Sequence, residues 1–171
     1  MTSKEPKVTE TYYPDTGTPT AWSEAFERLA AGETYWLSTV RPDGRPHAVP
    51  VLATWVDDTL YFAAGASTRK VANLTHDPHC VVTTNSGGLD IVVEGSVVQV
   101  RDDAKLQEVA DAYVSKYSWQ ITLTVRDGAL PASFGGAPTS GPPPYYVYEV
   151  VPSVSFGFPN EAERDPTRWV F

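Results

Sequence analysis

Residues 34–64, TYWLSTVRPDGRPHAVPVLATWVDDTLYFAA, contain the pattern that determines the fold. Apolar side chains recur there with a period of two, which is typical of half-buried strands. Pro42-Asp43-Gly44 and Asp57-Asp58 interrupt this pattern, and both sequences favour tight turns between antiparallel strands. Three strands are predicted, over 35–40, 46–56 and 60–64. The stretch therefore predicts a three-stranded antiparallel meander.

The rest of the chain predicts further strands and three helices around this meander. Apolar residues at helical spacing predict helices over about 20–31, 67–76 and 104–117. β-Branched and alternating apolar residues predict strands over 80–84, 89–100, 145–151 and 154–158. Six or seven antiparallel strands with helices packed outside them predict a mainly β (α+β) fold, a closed or nearly closed barrel.

Both ends of the chain and one internal segment lack regular patterning. Residues 1–19 are rich in Lys, Glu, Thr and Pro, so we expect a flexible arm there, or one that lies on a partner. Four Gly and five Pro among residues 127–144 predict a loop. A tail ending at Phe171 is expected after the last strand. The remainder, residues 20–171, is predicted to form one domain.

Charge and composition argue against several classes of function. The chain has 13 Lys and Arg against 21 Asp and Glu, a net charge of −8. Nucleic acids and anionic membranes require a clustered basic surface, so neither partner is expected. The single Cys80 and the absence of a signal-peptide pattern predict a cytoplasmic protein. No stretch approaches the roughly 20 apolar residues of a membrane-spanning helix.

A candidate anion site lies at residues 65–70, Gly-Ala-Ser-Thr-Arg-Lys, where a predicted strand ends and a predicted helix begins. Unpaired N–H groups and the helix dipole favour anions at a helix N-terminus, so residues 67–70 could hold a phosphate. Ser and Thr are also ordinary helix caps, and surface Arg-Lys pairs are common. By itself this sequence therefore leaves a purely structural interpretation open.

Other catalytic patterns are missing from the sequence. His76 and His79 are separated by Asp77-Pro78, which forces a turn, and we expect no metal site there. His47 is interpreted as a strand residue whose ring is satisfied. Neither a Gly-x-Ser-x-Gly elbow nor a Gly-x-Gly-x-x-Gly motif is present, so hydrolase and Rossmann-type functions lose their main support.

Several short motifs follow one another in a fixed order: Ser38–His47 (STVRPDGRPH), Pro50-Val51 with Trp55, Leu60-Tyr61-Phe62, and Ser67–Lys70 followed by Asn73-Leu74 and Asp77-Pro78. This ordered set resembles the pyridoxamine-phosphate-oxidase-like split β-barrel family. The later strand at 90–95 (DIVVEG) and Thr167-Arg168-Trp169 are similar to its flavin and deazaflavin oxidoreductase branch. The resemblance covers about residues 22–171.

The resemblance implies a homodimer of six-stranded split barrels that binds FMN, or the deazaflavin coenzyme F-420, in two grooves at the dimer interface. By the family's pattern, Phe62, Ala63 and Ala64 would line the cofactor, and Ser67, Thr68, Arg69 and Lys70 would hold its phosphate. Pro50 and Val51 would flank the ring, and Leu89 and Asp90 would approach it.

The function expected from this resemblance is hydride transfer between the bound ring and a small planar substrate. The family's basic Arg-x-Val-Leu-Leu-Lys strand and its Arg-rich C-terminal motif are not matched, so oxidation of vitamin B6 is not expected. Arg41 and Arg45 could meet the oligoglutamate tail of F-420, which favours that cofactor slightly over FMN. A non-catalytic module that stores or senses a flavin, haem or similar ligand is the alternative. The loop over 127–144 is a candidate lid over the groove or a solvent loop without a role.

Overall fold

The computed structural model describes residues 5–13, 17–117, 141–160 and 164–171. Within these ranges the chain forms nine strands and three helices. In chain order they are β1 (Val8–Thr11), α1 (Trp22–Ala31), β2 (Tyr35–Val40), β3 (Pro46–Val51), β4 (Ala53–Val56), β5 (Thr59–Gly65), α2 (Arg69–His76), β6 (His79–Ser86), β7 (Leu89–Gln99), α3 (Asp103–Tyr117), β8 (Tyr145–Pro159) and β9 (Thr167–Val170). None of these helices is long and apolar enough to cross a membrane.

The barrel is made of antiparallel strands in the order β3-β2-β6-β7-β8-β5-β4. The two end strands, β3 and β4, are joined through Leu52 and do not pair with each other. The sheet therefore curls around its core but stays open at one seam. This topology confirms the predicted mainly β split barrel with flanking helices.

The seam at Leu52 corrects the single strand predicted over 46–56. Helix α3 packs on β4 and supplies the hydrogen bonds that a continuous ladder would have made. The Tyr113 hydroxyl donates to Leu52 O at 2.7 Å and accepts the Ala63 N–H at 3.0 Å. The Tyr117 hydroxyl contacts both backbone groups of Ala53, with its oxygen 2.8 Å from the carbonyl oxygen and 3.2 Å from the nitrogen. Two tyrosines of α3 thus hold the seam in place.

Strand β8 replaces the two short strands predicted over 145–151 and 154–158. It is continuous because Ser153 forms a bulge, at which the pairing with β7 shifts between Glu94 and Gly95. The backbones approach closely there, and a Cβ on Gly95 would lie 2.2 Å from Val151 O. A glycine is therefore required opposite the bulge.

The predicted arm and tail pair with each other, contrary to the expectation for both ends. Strand β1, within the arm predicted over 1–19, forms an antiparallel ladder with β9, within the predicted tail. Strand β9 in turn pairs with β8, and its Trp169 side chain is fully buried. The Trp169 indole N–H donates to Thr20 O at 3.2 Å, which fixes the segment before α1. Strand β9 therefore contributes to the core, while β1 covers its outer edge.

The helices begin and end within two residues of their predicted bounds. Helix α1 packs Trp22 against Trp169 and Phe171, and Phe26 against Trp55, with ring centroids 4.9 to 5.4 Å apart. Helix α2 begins at Arg69, so Thr68 occupies its N-cap position. The Thr68 hydroxyl donates to Gly65 O at 2.8 Å instead of capping the helix. Most of the predicted loop over 127–144 lies outside the described residues.

Candidate functional site

The start of α2 carries the basic residues of the predicted anion site. Strand β5 ends at Gly65, and α2 begins four residues later, with the Arg69 side chain exposed. Lys70 lies on the inner side of the helix and is only 4% exposed. Desolvation lowers the pKa of its amine. A buried ammonium group of this kind gains most from an anionic ligand.

The β2–β3 hairpin brings two further basic side chains to the same place. Desolvation is the largest cause of the lowered pKa of His47, and the charges of Arg41, Arg69 and Lys70 lower it further. All three cations therefore lie close enough to act on the His47 ring. We call these four residues, Arg41, His47, Arg69 and Lys70, the cation cluster.

Two polar atoms of the cation cluster are buried without a hydrogen-bond partner: Arg41 Nε and His47 Nδ1. Buried polar groups are normally paired, so each unpaired atom requires an explanation. The sequence interpretation of His47 as a strand residue with a satisfied ring is therefore wrong for Nδ1. The donor set of the cluster fits a phosphate-type anion, which accepts several hydrogen bonds at once.

Helix α2 is fixed behind the cation cluster by a polar contact in the core. The Asn73 side chain is fully buried, and its Nδ2 donates to Thr39 Oγ1 at 2.9 Å. Thr39 in β2 lies directly opposite His47 in β3. This contact fixes α2 to the strand beside His47, so the residues on both elements keep one relative position. The local sequence did not assign Asn73 or His47 to the site, because their relevance depends on this packing.

The other predicted site residues on β5 and β3 are largely buried. Phe62 stacks on Tyr148 with ring centroids 5.3 Å apart and is 1% exposed. Ala64 and Val51 are also buried, whereas Ala63 and Pro50 are partly exposed. The buried side chains can reach a ligand only through their backbone atoms. Their assignment as cofactor contacts stays a prediction.

Leu89 and Asp90 are separated from the predicted site residues of β5 within one chain. Ala64 pairs with Tyr146 in β8, whereas Asp90 pairs with Phe158, twelve residues further along the same strand. Twelve residues correspond to about 40 Å of strand path. The predicted site residues of β5 and of β7 therefore form two separate groups in the single chain.

Asp90 lines a surface groove of about 670 Å³ on the outside of the barrel, which we call the outer groove. Its lining comes from the end of α1, the start of β2, and the β6–β7 hairpin. Trp36 presents its ring there and is 50% exposed. Glu33 and Asp90 supply carboxylates, and Asp90 Oδ1 accepts a hydrogen bond from Asn85 at 2.6 Å. The outer groove therefore combines a flat aromatic surface with negative charge.

An apolar row continues from the outer groove across the outer face of the sheet. The side chains lie on neighbouring strands in register and are partly exposed: Pro50, Trp36, Thr83, Val92 and Phe156. Val40 and Phe158, which are 43% and 36% exposed, extend this face. Contiguous exposed apolar surface of this kind is typical of interaction sites.

Metal-ligating side chains do not cluster in the part of the chain that the structure describes. His79 Nδ1 instead lies 2.6 Å from Asp77 Oδ1 in an exposed turn. Arg45, which the sequence analysis placed against an acidic tail, binds Asp43 across the β2–β3 turn at 2.7 Å. The structure thus brings Arg41 to the cation cluster but leaves Arg45 outside it.

Solved structures with the same fold include flavin, deazaflavin and haem proteins. A pyridoxamine 5'-phosphate oxidase-related, FMN-binding protein from Nostoc punctiforme PCC 73102 is 16% identical, with a TM-score of 0.54 over 87% of this chain and 86% of that one. An F420 reductase is 19% identical, with a TM-score of 0.53 over 75% and 93%. A heme binding protein from Mycobacterium smegmatis is 14% identical, with a TM-score of 0.66 over 91% of this chain and 60% of that one. At these identities the likeness shows the fold alone.

No curated protein matches the sequence. A family model does match, and it covers most of the chain. The model described as pyridoxamine 5'-phosphate oxidase matches residues 22–152, from the first residue of α1 to the bulge in β8. This range contains both the cation cluster and the outer groove. The chain therefore belongs to the pyridoxamine 5'-phosphate oxidase family.

Proposed function

We propose that the chain is an oxidoreductase that binds FMN or coenzyme F-420 and transfers a hydride between the cofactor ring and a small planar substrate. The observation that carries this proposal is the cation cluster. In it Lys70 is buried, and Arg41 Nε and His47 Nδ1 are buried without a hydrogen-bond partner. When bound, either cofactor supplies hydride-transfer chemistry through its ring. The protein's part is to bind, to orient and to exclude water.

Within the cation cluster, each residue type has a distinct task toward the cofactor phosphate. Arg69 and Lys70 neutralise the charge, and Ser67, just before α2, offers its hydroxyl. The Thr68 hydroxyl and N–H both donate to Gly65 O, so Thr68 shapes the turn beside the phosphate. The Thr68 side chain does not cap the first turn of α2. That helical turn therefore presents its N–H groups to an external acceptor.

We propose further that the active unit is a homodimer with the cofactor at its interface. Support comes from the separation of the two groups of predicted residues within one chain and from the apolar row on the outer face. In a symmetric dimer, the cation cluster of one protomer can face the outer groove of its partner. Asp90 and Leu89 would then approach the ring from the second protomer, as the family's pattern implies.

The choice between the two cofactors depends on the strand motif for FMN and on the two arginines, Arg41 and Arg45. Solved neighbours include both an FMN-binding protein and an F420 reductase. We retain the slight preference for F-420, because the basic strand motif for FMN is not matched in this sequence. With Arg45 occupied by Asp43, Arg41 is the better candidate for contact with an acidic tail.

A ligand-binding module without turnover is the second candidate. It is favoured by a neighbour that is a heme binding protein. The half-buried histidine of the cation cluster, His47, could serve as a haem ligand. Three nearby cations would also attract the carboxylates of a porphyrin.

Titration of the cofactor-free protein with FMN, riboflavin and F-420, followed by ligand fluorescence, tests the proposal. We expect FMN or F-420 to bind, and riboflavin, which lacks the phosphate, to bind at least about tenfold more weakly than FMN, because charge-assisted hydrogen bonds are worth about 1.5 to 3 kcal/mol. Equal affinity for FMN and riboflavin would remove the phosphate role of the cluster. Binding of none of the three, together with tight haem binding, would establish the second candidate.

Turnover decides whether the bound cofactor is used. The protein is loaded with reduced cofactor and mixed with planar electron acceptors. The bound cofactor should then be oxidised by the acceptor faster than the same concentration of free reduced cofactor. Tight binding without such acceleration over a broad panel of acceptors would contradict the enzymatic proposal and leave a carrier or sensor.

A further inference from the structure

His47 occupies an unusual position within the cation cluster. Its ring lies on β3 opposite Thr39, is partly exposed, and has a buried Nδ1 without a hydrogen-bond partner. A neutral imidazole needs one donor and one acceptor contact to be satisfied. A protonated imidazole needs two acceptors instead. Which of these states is favoured depends on the charges that face the ring.

The charged groups that act on His47 come from two elements. Arg41 approaches from the β2–β3 turn, and Arg69 and Lys70 approach from the start of α2. All three are cations, and no carboxylate is among the groups that shift its pKa. Thr39, which lies opposite His47, and Asn73, which donates to Thr39, are neutral. Repulsion from the cations and desolvation therefore both lower the pKa of His47 while no anion is bound.

We propose that His47 is a proton-linked ligand of the cofactor's phosphate, neutral when the cluster holds no anion and protonated when it does. The proposal rests on the proposed function, since it assigns one more residue to the same anion site. A bound phosphate places negative charge beside the ring and pairs with the N–H that protonation creates. Binding and proton uptake then favour each other.

Linkage fixes the direction of the effect. Because the anion raises the pKa of His47, the complex holds more protons than the free protein in the pH range where histidine titrates. The affinity for the anion must therefore rise as pH falls through that range, by at most about tenfold per pH unit for one proton. Arginine stays protonated there, and Lys70, although desolvation lowers its pKa from the ordinary lysine value, would add pH dependence centred at higher pH than that of a histidine.

Sulfate is a suitable probe because it remains a dianion over the whole range, so any proton taken up from the buffer on binding is held by the protein. Calorimetric titration of the full chain with sodium sulfate, in two buffers of different ionisation enthalpy, measures that uptake directly. We expect a clear fraction of a proton per sulfate near neutral pH, and tighter binding at lower pH. Sulfate binding without proton uptake would overturn the role of His47 and leave the anion site intact.

Two matched variants locate the proton. His47→Gln should abolish both the proton uptake and the pH dependence. His79→Gln should leave both unchanged, because His79 is exposed and pairs with Asp77 in a turn. The reverse result, or loss of uptake in both variants, would contradict the assignment.

A measurement on the unmodified protein guards against misfolding of the His47 variant. The chain has three histidines, so the imidazole C–H signals in a proton NMR titration are few enough to follow singly. Sulfate should raise the pKa of one of the three and leave the others in place. Failure of both sulfate and FMN to bind would overturn the proposed function together with this inference, whereas binding with three unmoved histidines would overturn this inference alone.

Discussion

The cation cluster and the outer groove are opposites in burial and in charge. Lys70 in the cluster is 4% exposed, whereas Trp36 in the groove is 50% exposed. The cluster contains two arginines, a lysine and a histidine, and the groove contains the carboxylates of Glu33 and Asp90. The cluster gathers basic side chains around a buried amine, whereas the groove is an open surface that continues into an apolar row. In the homodimer that we propose, the two regions are the two halves of one site, which meet when two chains associate.

Trp36→Asp is the strongest test of this contrast, because it changes the outer face without touching the core. A charge at the centre of an apolar interface should weaken dimerisation by about 30-fold or more, the range of interface hot spots. Cofactor binding should be lost with the dimer. Analytical ultracentrifugation and flavin fluorescence on the same sample provide the measurement. The control is Val114→Asp, on an exposed face of α3. A monomer that keeps full cofactor affinity would contradict the composite site.

Lys70→Met tests the cluster itself and keeps the buried hydrocarbon stem. We expect FMN affinity to fall by about 10- to 100-fold, because one charge-assisted hydrogen bond to the phosphate is lost. Affinity for riboflavin should not change. Lys105→Met is the matched control. Lys105 lies on α3, pairs with Asp57 and with Glu108, and is not among the cations that act on His47. Equal loss for both ligands would indicate damage to the fold instead of a lost contact.

Tyr113→Phe tests the seam between β3 and β4. The hydroxyl that joins Leu52 O and the Ala63 N–H is fully buried, so its removal deletes both of these hydrogen bonds from a buried site. The free energy of unfolding should fall by about 1 to 3 kcal/mol. Urea denaturation measures this change, with Tyr12→Phe as the control at a 46% exposed position. An unchanged midpoint would show that the seam does not depend on α3.

The smallest expected effect lies at Lys116, whose amine donates to Ala30 O and to the Tyr35 hydroxyl. Burial lowers the pKa of this amine to about 8, with Glu33 opposing the shift. Between that value and the ordinary lysine pKa of about 10.5, Lys116 binds more protons in the unfolded chain than in the folded one, so its contribution to stability rises with pH. Burial raises the pKa of the Cys80 thiol to about 12, which acts in the opposite direction in this window, and the raised pKa values of buried tyrosines such as Tyr61 do so above it.

Urea denaturation at several pH values between about 7.5 and 9.5 shows the Lys116 effect. Lys116→Met should remove this contribution, so that its free energy of unfolding increases less with rising pH than that of the unmodified protein. Lys105→Met should keep it, because the carboxylates of Asp57 and Glu108 raise the pKa of Lys105 and the group does not titrate in this window. A rise that persists in Lys116→Met would assign the pH dependence to other groups.

Most of the secondary structure follows from local sequence, and the errors share one cause. Strand β2, the Pro42-Asp43-Gly44 turn and helix α3 lie where periodicity and turn chemistry place them. The seam at Leu52 and the joining of β8 across Ser153 were not predictable, because each depends on a contact far along the chain. The Tyr113 hydroxyl binds Leu52 O at the seam. Gly95 has no Cβ and so permits the close approach of β7 to β8 at the Ser153 bulge.

The terminal strands were missed for a related reason. Residues 8–11 carry no strong apolar alternation and pair with residues 167–170, more than 150 positions away. Neither segment indicates a strand by itself, since a short polar strand forms only when a partner supplies its ladder. The fully buried Trp169 shows that the pairing belongs to the core.

The sequence by itself determined the fold class, the family resemblance and the position of residues 67–70 at the start of a helix. These depend on patterns a few residues long, which local conformational preferences decide. Only the tertiary structure added Arg41 and His47 to the cluster, buried Lys70, and separated Asp90 from Ala64 along β8. Burial and electrostatic neighbourhood arise from packing between distant segments. The chemistry of the site therefore became visible only once those segments were placed together.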